Sequence, residues 1–298
     1  MDKTFKESFQ ERQREVEEIL KGYLPEKQGL QKTIFEAMEY SLMAGGKRIR
    51  PILMREAYRL FGGVDEKVIE PFMAAMEMVH TYSLVHDDLP AMDNDDYRRG
   101  RKTTHVVYGE DMGILAGDAL LNYAFETASR CFDKTGNLSA AAKAFQIFSR
   151  KAGVYGMVGG QVVDVERTGQ PLDKEVLEFI YTLKTGALLE GALMVGAALA
   201  GADDSALDKM EQIGRCVGMA FQIQDDILDV IGDSKELGKA TGSDAQNHKQ
   251  TYVTLHGLEE SGREVERLTG EAVAILDSFS GEHEFLKELL LHLVHRTK

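Results

Sequence analysis

The sequence predicts an all-α fold, and three observations support that prediction. Only five prolines occur in 298 residues, while the helix-favouring residues Ala, Leu, Glu, Met and Lys are abundant. Apolar residues recur every three or four positions, as in Phe5, Phe9, Val16, Ile19 and Leu20. We find no convincing alternation of apolar and polar residues and no Asn-Gly turn, which are the signals of strands and hairpins.

The breaks between helices are predicted at stretches rich in Gly, Pro, Asp and Ser. They lie at residues 22–29, 61–66, 133–139, 167–174, 201–205 and 232–248. Roughly ten helices of about 12 to 28 residues remain between them. None of the breaks has the composition of an interdomain linker, so residues 1–298 are predicted to form a single domain.

Three long helices are predicted from their apolar periodicity, at residues 70–89, 182–200 and 210–231. The last two are apolar on nearly every face. A helix of that kind must lie in the centre of a bundle, because it has no polar face to expose.

The composition excludes several function classes. A net charge of -14 argues against partners that carry a phosphate backbone and against binding to anionic membranes. Only Cys131 and Cys216 are present, which excludes a disulfide framework and a thiolate metal cluster. The N-terminal segment lacks the apolar core of a signal peptide, and residues 191–200 are too few to span a bilayer of about 30 Å. We therefore expect a cytoplasmic protein with no nucleic-acid partner and no membrane insertion.

The most informative stretch is "SLVHDDLPAMDNDDYRRGRKTT" at residues 83–104. It holds five aspartates between positions 87 and 96 and then four cations, at Arg98, Arg99, Arg101 and Lys102. Pro90 should end the helix near Leu89, so that the loop brings Asp93 back toward Asp87 and Asp88. Ligands that are hard oxygens favour Mg²⁺ over Zn²⁺.

A second acidic cluster, "AFQIQDDILDVIGD", contains Asp225, Asp226 and Asp229 inside an apolar helical pattern. Asp225 and Asp229 lie about 40° apart around a helix. Carboxylates on a buried helix are costly unless they are paired or bind a cation. The cluster therefore predicts a second set of metal ligands.

Basic residues accompany both clusters. "AGGKRIRP" at 44–51 places Lys47, Arg48 and Arg50 beside a Gly-Gly turn at the start of a helix, where an anion binds well. His80 lies two helical turns before Asp87, and Lys184 sits inside an apolar helix. Together these residues predict a cavity with carboxylate walls, a basic pocket and an apolar floor. It suits two diphosphates, one bound through metal and one through Lys and Arg. We therefore interpret the adjacent Asp and Arg clusters as ligand-binding rather than mutually neutralising.

These motifs, with "GMVGGQVVDV" and "LKTGALL", resemble those of the short-chain trans-prenyltransferases (polyprenyl synthetases), specifically the bacterial farnesyl diphosphate synthases. The resemblance is ordered and spans roughly residues 35 to 255. It implies the isoprenoid synthase fold, a bundle of about ten or more helices around a deep central cavity. It also implies a homodimer and three Mg²⁺ ions per active site.

The resemblance implies a role for each matching residue. The residues implied to bind metal and the allylic diphosphate are Asp87, Asp88, Asp93, Asp225, Asp226 and Asp229. The residues implied to form the pocket for isopentenyl diphosphate are Lys47, Arg50, His80 and Arg99. The surroundings of the allylic diphosphate and the developing cation are Arg98, Lys184, Thr185, Gln222 and Lys239, of which Lys184, Thr185 and Gln222 are the expected catalytic residues. Gln161 and Asp164 match a polar pair behind the metal site, and Arg296 and Lys298 loosely resemble a basic tail that closes over it.

Product length is predicted from the residues that precede the first motif. Tyr82 and Ser83 lie five and four positions before Asp87, so both can line the channel into which the product grows. In the family an aromatic residue here accompanies the fifteen-carbon product. The predicted reaction is therefore condensation of isopentenyl diphosphate with dimethylallyl and then geranyl diphosphate, giving farnesyl diphosphate. Val253 and His256 depart from the family pattern, which leaves the local loop and the role of Lys249 open.

Four alternatives remain. A geranylgeranyl or geranyl diphosphate synthase would share the fold, and Tyr82 discriminates against it. A phosphohydrolase is suggested by the "HDD" of residues 86–88, but that chemistry usually needs further histidine ligands. A cyclising terpene synthase typically mixes Asn, Ser or Thr with Glu at its second metal site. A catalytically inactive partner subunit commonly loses one aspartate motif, whereas this chain keeps both.

Overall fold

The computed structural model describes residues 3–231 and 250–294, and these form a helical bundle. The α-helices, numbered in chain order, are α1 Lys3–Tyr23, α2 Lys32–Leu42, α3 Ile49–Leu60, α4 Glu66–Asp87, α5 Thr104–Tyr108, α6 Glu110–Ser129, α7 Leu138–Ala152, α8 Met157–Glu166, α9 Lys174–Ile180, α10 Ala187–Leu199, α11 Asp204–Ile231, α12 Tyr252–His256, α13 Leu258–Leu276 and α14 Glu284–Val294. A 3₁₀-helix, Arg130–Asp133, follows α6, and a π-helix, Tyr181–Gly186, joins α9 to α10.

The centre of the bundle consists of α4, α10 and α11. A central position was predicted for α10 and α11 from their apolar sequences, but not for α4. Nearly every residue of α10 is buried, and the helix packs against α3, α7 and α11. The buried apolar side chains of the described residues form one cluster, whose members range along the sequence from Phe5 to Val294. The prediction of an all-α fold is confirmed.

Two helix boundaries differ from the prediction. The helix predicted at 70–89 begins earlier, where the Asp65 side chain accepts a hydrogen bond from the Lys67 N–H and caps it, and ends at Asp87. The helix predicted at 182–200 continues backward through the π-helix to Lys174. The combined segment Lys174–Leu199 is long and apolar enough to cross a membrane by length and composition. However, 78% of its most apolar window is buried inside the protein, as in a core helix.

The structure also contains a short hairpin, for which we found no signal in the sequence. Tyr97–Arg98 and Arg101–Lys102 pair as a short antiparallel hairpin, β1 and β2. Each strand has two residues, which is too short for an alternating pattern to be visible in the sequence. The hairpin matters for the site because it carries Arg98 and leads directly to Arg99.

Candidate active site

The first aspartate motif lies at the C-terminal end of α4. The helix ends at Asp87, and the backbone N–H of Asp93 donates to the Asp87 carbonyl at 2.8 Å. The turn after Pro90 therefore returns Asp93 to the pair, as predicted.

The Asp87 carboxylate is held by a side chain from another helix. Gln161 of α8 donates through Nε2 to Asp87 Oδ1 at 2.7 Å. Burial raises the pKa of Asp87 to about 6, while Lys184 opposes the shift and Asp93 adds to it. A carboxylate in such a place is stabilised in its charged form by a bound cation.

The Asp88 carboxylate forms an ion pair within the protein. It is 4% exposed, and Arg98 donates to its Oδ1 through Nε at 2.7 Å, with Nη2 at 2.6 Å. Burial raises the pKa of Asp88, and the Arg98 charge opposes that shift. The interpretation that the Asp and Arg clusters do not neutralise one another is therefore wrong for this pair.

The prediction that Arg48 contributes to an anion site is also wrong. Arg48 is 2% exposed, and its guanidinium bonds to Glu17, Glu77 and the Leu42 carbonyl, each at 2.7 Å. It sits between Lys47 and Arg50 in the sequence, yet its side chain points into the protein. Neighbouring positions at a tight turn need not share a face.

Arg50, His80 and Arg99 are brought together as predicted. The pKa of His80 is lowered well below its ordinary value by burial and by the charges of Arg50 and Arg99, so the imidazole is neutral at pH 7. Burial lowers the pKa of Arg50 as well, and its buried Nε has no hydrogen-bond partner in the described part of the chain. Arg99 donates to the Gly45 carbonyl, which ties the segment after β1 to the turn before α3. The group is a concentrated positive site that gains from a bound anion.

Lys184 and Thr185 lie in the π-helix between α9 and α10. The Lys184 ammonium pairs with Asp164 of α8 at 2.5 Å, and Thr185 is partly buried. A Cβ at Gly160 would overlap the backbone nitrogen of Lys184, so a glycine is needed for α8 to approach this closely. Single turns of π-helix are frequently found at functional sites.

The second aspartate motif lies near the C-terminal end of α11. Asp225 and Asp229 are half-buried and one helical turn apart. Asp226 is 6% exposed, and its Oδ2 accepts hydrogen bonds from the Tyr181 hydroxyl and the Tyr252 backbone N–H, each at 2.7 Å.

A continuous series of contacts joins the two motifs. Asp87 accepts from Gln161, Asp164 one turn later on α8 pairs with Lys184, and Tyr181 of the same π-helix donates to Asp226. Gln161 thus contacts the first motif directly, and Asp164 contacts Lys184. The structural contribution of Tyr181 was missed, because nothing in its sequence neighbourhood distinguishes it from an ordinary core tyrosine.

The remaining predicted residues are distributed as follows. Tyr82 is 6% exposed on α4 with its ring against His86, and the Ser83 hydroxyl donates to the His80 carbonyl at 2.9 Å. Gln222 is partly buried on α11, one turn before Asp225 and Asp226. Lys47 is exposed. Predictions for Lys239, Lys249, Arg296 and Lys298 lie outside the described residues.

The two departures from the family pattern fall in α12. Thr251 caps this helix through a reciprocal pair of hydrogen bonds with Thr254, so the local turn forms with Val253 in place of proline. The His256 ring packs against Tyr252, with 4.4 Å between ring centroids.

The acidic residues fit a magnesium site that a substrate helps to complete. Within residues 3–231 and 250–294, no three His, Cys, Asp or Glu side chains lie close enough to hold an ion by themselves. Mg²⁺ usually binds one or two carboxylates and fills its remaining positions with water and substrate phosphates. The oxygen donors at the ends of α4 and α11 match that requirement.

Comparison with known proteins identifies the family. Residues 31–285 match the model of the family described as polyprenyl synthetase. The chain belongs to this family. Polyprenyl synthetases are prenyltransferases of isoprenoid synthesis, which agrees with the acidic and basic side chains described above.

Individual relatives extend this result. A farnesyl diphosphate synthase of Geobacillus stearothermophilus is 44% identical over 248 residues, covering 83% of this chain and 83% of that protein. A geranylgeranyl diphosphate synthase of Cyanophora paradoxa is 45% identical over 265 residues, covering 88% and 86%. Among solved structures, an FPP/GFPP synthase from Zymomonas mobilis superposes with a TM-score of 0.85 and 32% identity, covering 98% of this chain and 99% of that one.

Proposed function

We propose that this polyprenyl synthetase makes farnesyl diphosphate from isopentenyl diphosphate and the allylic substrates dimethylallyl and geranyl diphosphate. The single observation that carries the proposal is the bulky Tyr82, buried on α4 above Asp87. An aromatic ring in that position limits the channel beyond the first motif. Relatives of similar identity include both farnesyl and geranylgeranyl diphosphate synthases, so the length of the product depends on such local residues.

The residues proposed to contact Mg²⁺ are Asp87, Asp93, Asp225 and Asp229. Asp88 and Asp226, predicted alongside them, are held by hydrogen bonds from protein groups, and we assign them to fixing the motifs. When bound, the ions would act as Lewis acids and offset the charge that develops on the leaving diphosphate. The family is generally Mg²⁺-dependent, and we adopt three ions per site for this chain.

The protein groups have separate tasks in this proposal. Lys47, Arg50, His80 and Arg99 bind isopentenyl diphosphate, with His80 acting as a neutral hydrogen-bond group. Arg98 and Lys184 add positive charge beside the allylic diphosphate, and Lys239 is assigned there by resemblance. Thr185, Gln222 and the Lys184 carbonyl direct dipoles at the allylic cation, a preorganised arrangement that costs no reorganisation during the reaction. Holding the second substrate's double bond beside that cation supplies proximity, and the released diphosphate accepts the final proton.

The proposal is tested by following both products of the condensation. Purified protein is incubated with isopentenyl diphosphate, geranyl diphosphate and Mg²⁺, with and without a chelator. We expect one diphosphate released for each prenyl chain extended, and no reaction with the chelator present. Release of inorganic phosphate without chain extension would support the phosphohydrolase alternative instead.

We further propose a single-domain cytoplasmic homodimer. Val106, Val107, Ile114 and Leu115, on α5 and α6, are each at least 37% exposed and form an apolar surface that a second copy of the chain would cover. Both cysteines are buried and free, as expected in a reducing compartment.

Replacing Ile114 and Leu115 with glutamate is expected to convert the dimer to a monomer, because four charges would face one another across a two-fold interface. Light scattering should change from twice the 33.1 kDa chain mass to once that mass. Glutamate at Leu138, which is 61% exposed on α7, is the control and should leave the dimer intact. A wild-type protein that is already monomeric would contradict the proposal.

A further inference from the structure

The turn between α2 and α3 has an unusual backbone. Gly45 and Gly46 have φ of 83° and 136°, and Arg48, a non-glycine residue, has φ of 52°. L-residues rarely adopt this left-handed conformation, because the Cβ crowds the following carbonyl. The turn therefore has to be held in place by contacts with the rest of the protein.

Arg48 provides most of those contacts. Its Nε donates to Glu17 of α1, its Nη1 to Glu77 of α4 and its Nη2 to the Leu42 carbonyl at the end of α2. Burial opposes its charge, but Glu77 and Glu17 together raise the pKa of Arg48 above its ordinary value. A guanidinium buried to this extent and bonded through all three nitrogens does not reach a substrate. It connects three helices to one turn.

The turn is fixed at two further points. Gln13 of α1 donates through Nε2 to the Gly46 carbonyl at 2.5 Å, and Arg99 donates to the Gly45 carbonyl. Both carbonyls of the Gly-Gly pair are thus bound by side chains from distant parts of the chain. Helix α1, which carries none of the predicted site residues, contributes Gln13 and Glu17 to this framework.

Glu77 connects the framework to the basic pocket electrostatically. It is 3% exposed and lies one helical turn before His80 on α4. Its charge acts not only on Arg48 but also on Arg50 and Arg99, where it raises the pKa against the effect of burial. One buried carboxylate therefore stabilises three clustered guanidinium groups.

We propose that Arg48, together with Glu17 and Glu77, is a positioning residue for the diphosphate of the non-allylic substrate. By fixing the left-handed turn, Arg48 sets the places of Lys47 and Arg50 on either side of it and does not itself touch the substrate. The inference rests on the proposed function, because it assigns these cations to isopentenyl diphosphate. It predicts that loss of Arg48 weakens the binding of isopentenyl diphosphate and leaves the binding of the allylic diphosphate nearly unchanged.

The test compares Arg48→Met with Arg55→Met. Arg55 of α3 is a matched control, since it too is a buried arginine that pairs with a glutamate of α1, here Glu15 at 2.8 Å. For Arg48→Met we expect the KM for isopentenyl diphosphate to rise about tenfold to a hundredfold, as small displacements of binding groups do, while the KM for geranyl diphosphate changes less than about threefold. Arg55→Met should lower thermal stability without changing the ratio of the two KM values.

Two further variants keep the inference testable if Arg48→Met folds poorly. Glu77→Gln and Glu17→Gln preserve side-chain shape while removing one charge each. Both should weaken the binding of isopentenyl diphosphate and not that of the allylic substrate. Calorimetric titration of isopentenyl diphosphate without the allylic substrate measures the same loss independently of turnover. Equal changes in both KM values, or the same change in Arg55→Met, would overturn the inference. A wild-type enzyme that fails to extend geranyl diphosphate would instead overturn the proposed function.

Discussion

Replacing Asp225 with asparagine is expected to lower kcat by about a hundredfold to a thousandfold, since a metal contact supplies several kcal/mol of stabilisation and each factor of ten corresponds to about 1.4 kcal/mol. The same replacement at the adjacent Asp226 is expected to lower kcat by less than about tenfold. The two residues carry the same carboxylate and follow one another in the sequence. They differ in direction, because successive residues of a helix are about 100° apart.

The contacts of Asp226 explain the smaller effect. Its Oδ2 accepts from the Tyr181 hydroxyl and from the Tyr252 N–H, and the amide oxygen of an asparagine can accept both. What is lost is the charge on the acceptor, which makes a hydrogen bond roughly twice as strong as its neutral counterpart. Asp226→Ala removes the acceptor itself and should be much more damaging than Asp226→Asn.

Metal binding separates the two roles without reference to turnover. Mn²⁺ bound in the presence of inorganic diphosphate is counted by electron paramagnetic resonance for the wild type and both variants. We expect Asp225→Asn to bind Mn²⁺ more weakly and Asp226→Asn to bind it as the wild type does. Tyr181→Phe, which removes one hydrogen bond and no carboxylate, should resemble Asp226→Asn. Weakened Mn²⁺ binding by Asp226→Asn, equal to that of Asp225→Asn, would make Asp226 a metal ligand.

Replacing Tyr82 with alanine is expected to change the main product from fifteen to twenty carbons. Tyr82 is buried on α4, with its ring edge-on to His86 at 5.8 Å between centroids. Burial and the nearby Asp87 raise the pKa of Tyr82 to about 12, so its hydroxyl stays neutral at every working pH. The side chain therefore acts through its bulk, and removing the ring opens space for another isoprene unit.

The control for Tyr82→Ala is Tyr58→Ala. Tyr58 is a tyrosine of α3 with similar burial, and it lies away from both aspartate motifs in the sequence. Each substitution leaves a cavity that should cost about 3 to 5 kcal/mol of folding stability, so loosening of the bundle affects both variants. Only Tyr82→Ala should lengthen the product. An unchanged product from Tyr82→Ala, or a longer one from Tyr58→Ala, would show that Tyr82 does not set chain length.

The sequence was sufficient to predict those features that depend on residues close together in the chain. The apolar sequences of α10 and α11 predicted central helices. Nearly all of α10 is buried, and α11 buries eleven of its 28 residues. Pro90 predicted the turn that returns Asp93 to Asp87, because a proline lacks an N–H and disfavours helical backbone at the residue before it. The sequence predicted carboxylates beside a basic pocket because each motif contains several charged residues.

The features that were missed depend on partners far apart in the chain. Arg48 and Arg50 have the same side chain, but Arg48 points inward and bonds to Glu17 and Glu77, each about thirty residues away. Arg98 pairs with Asp88 because the hairpin folds it back across ten residues. The π-helix at 181–186 shifts the helical period, and its residues, which include Lys184 and Thr185, give no sequence signal of that shift.

Analysis of the reaction products shows whether this site joins prenyl units and whether it stops at fifteen carbons. The purified enzyme is given isopentenyl diphosphate and Mg²⁺ with dimethylallyl or geranyl diphosphate in parallel, and the prenyl alcohols are identified after dephosphorylation. Farnesol as the main product from both allylic substrates is the predicted result. Geranylgeraniol as the main product would contradict the role given to Tyr82, and the absence of any extended chain would contradict the proposed reaction.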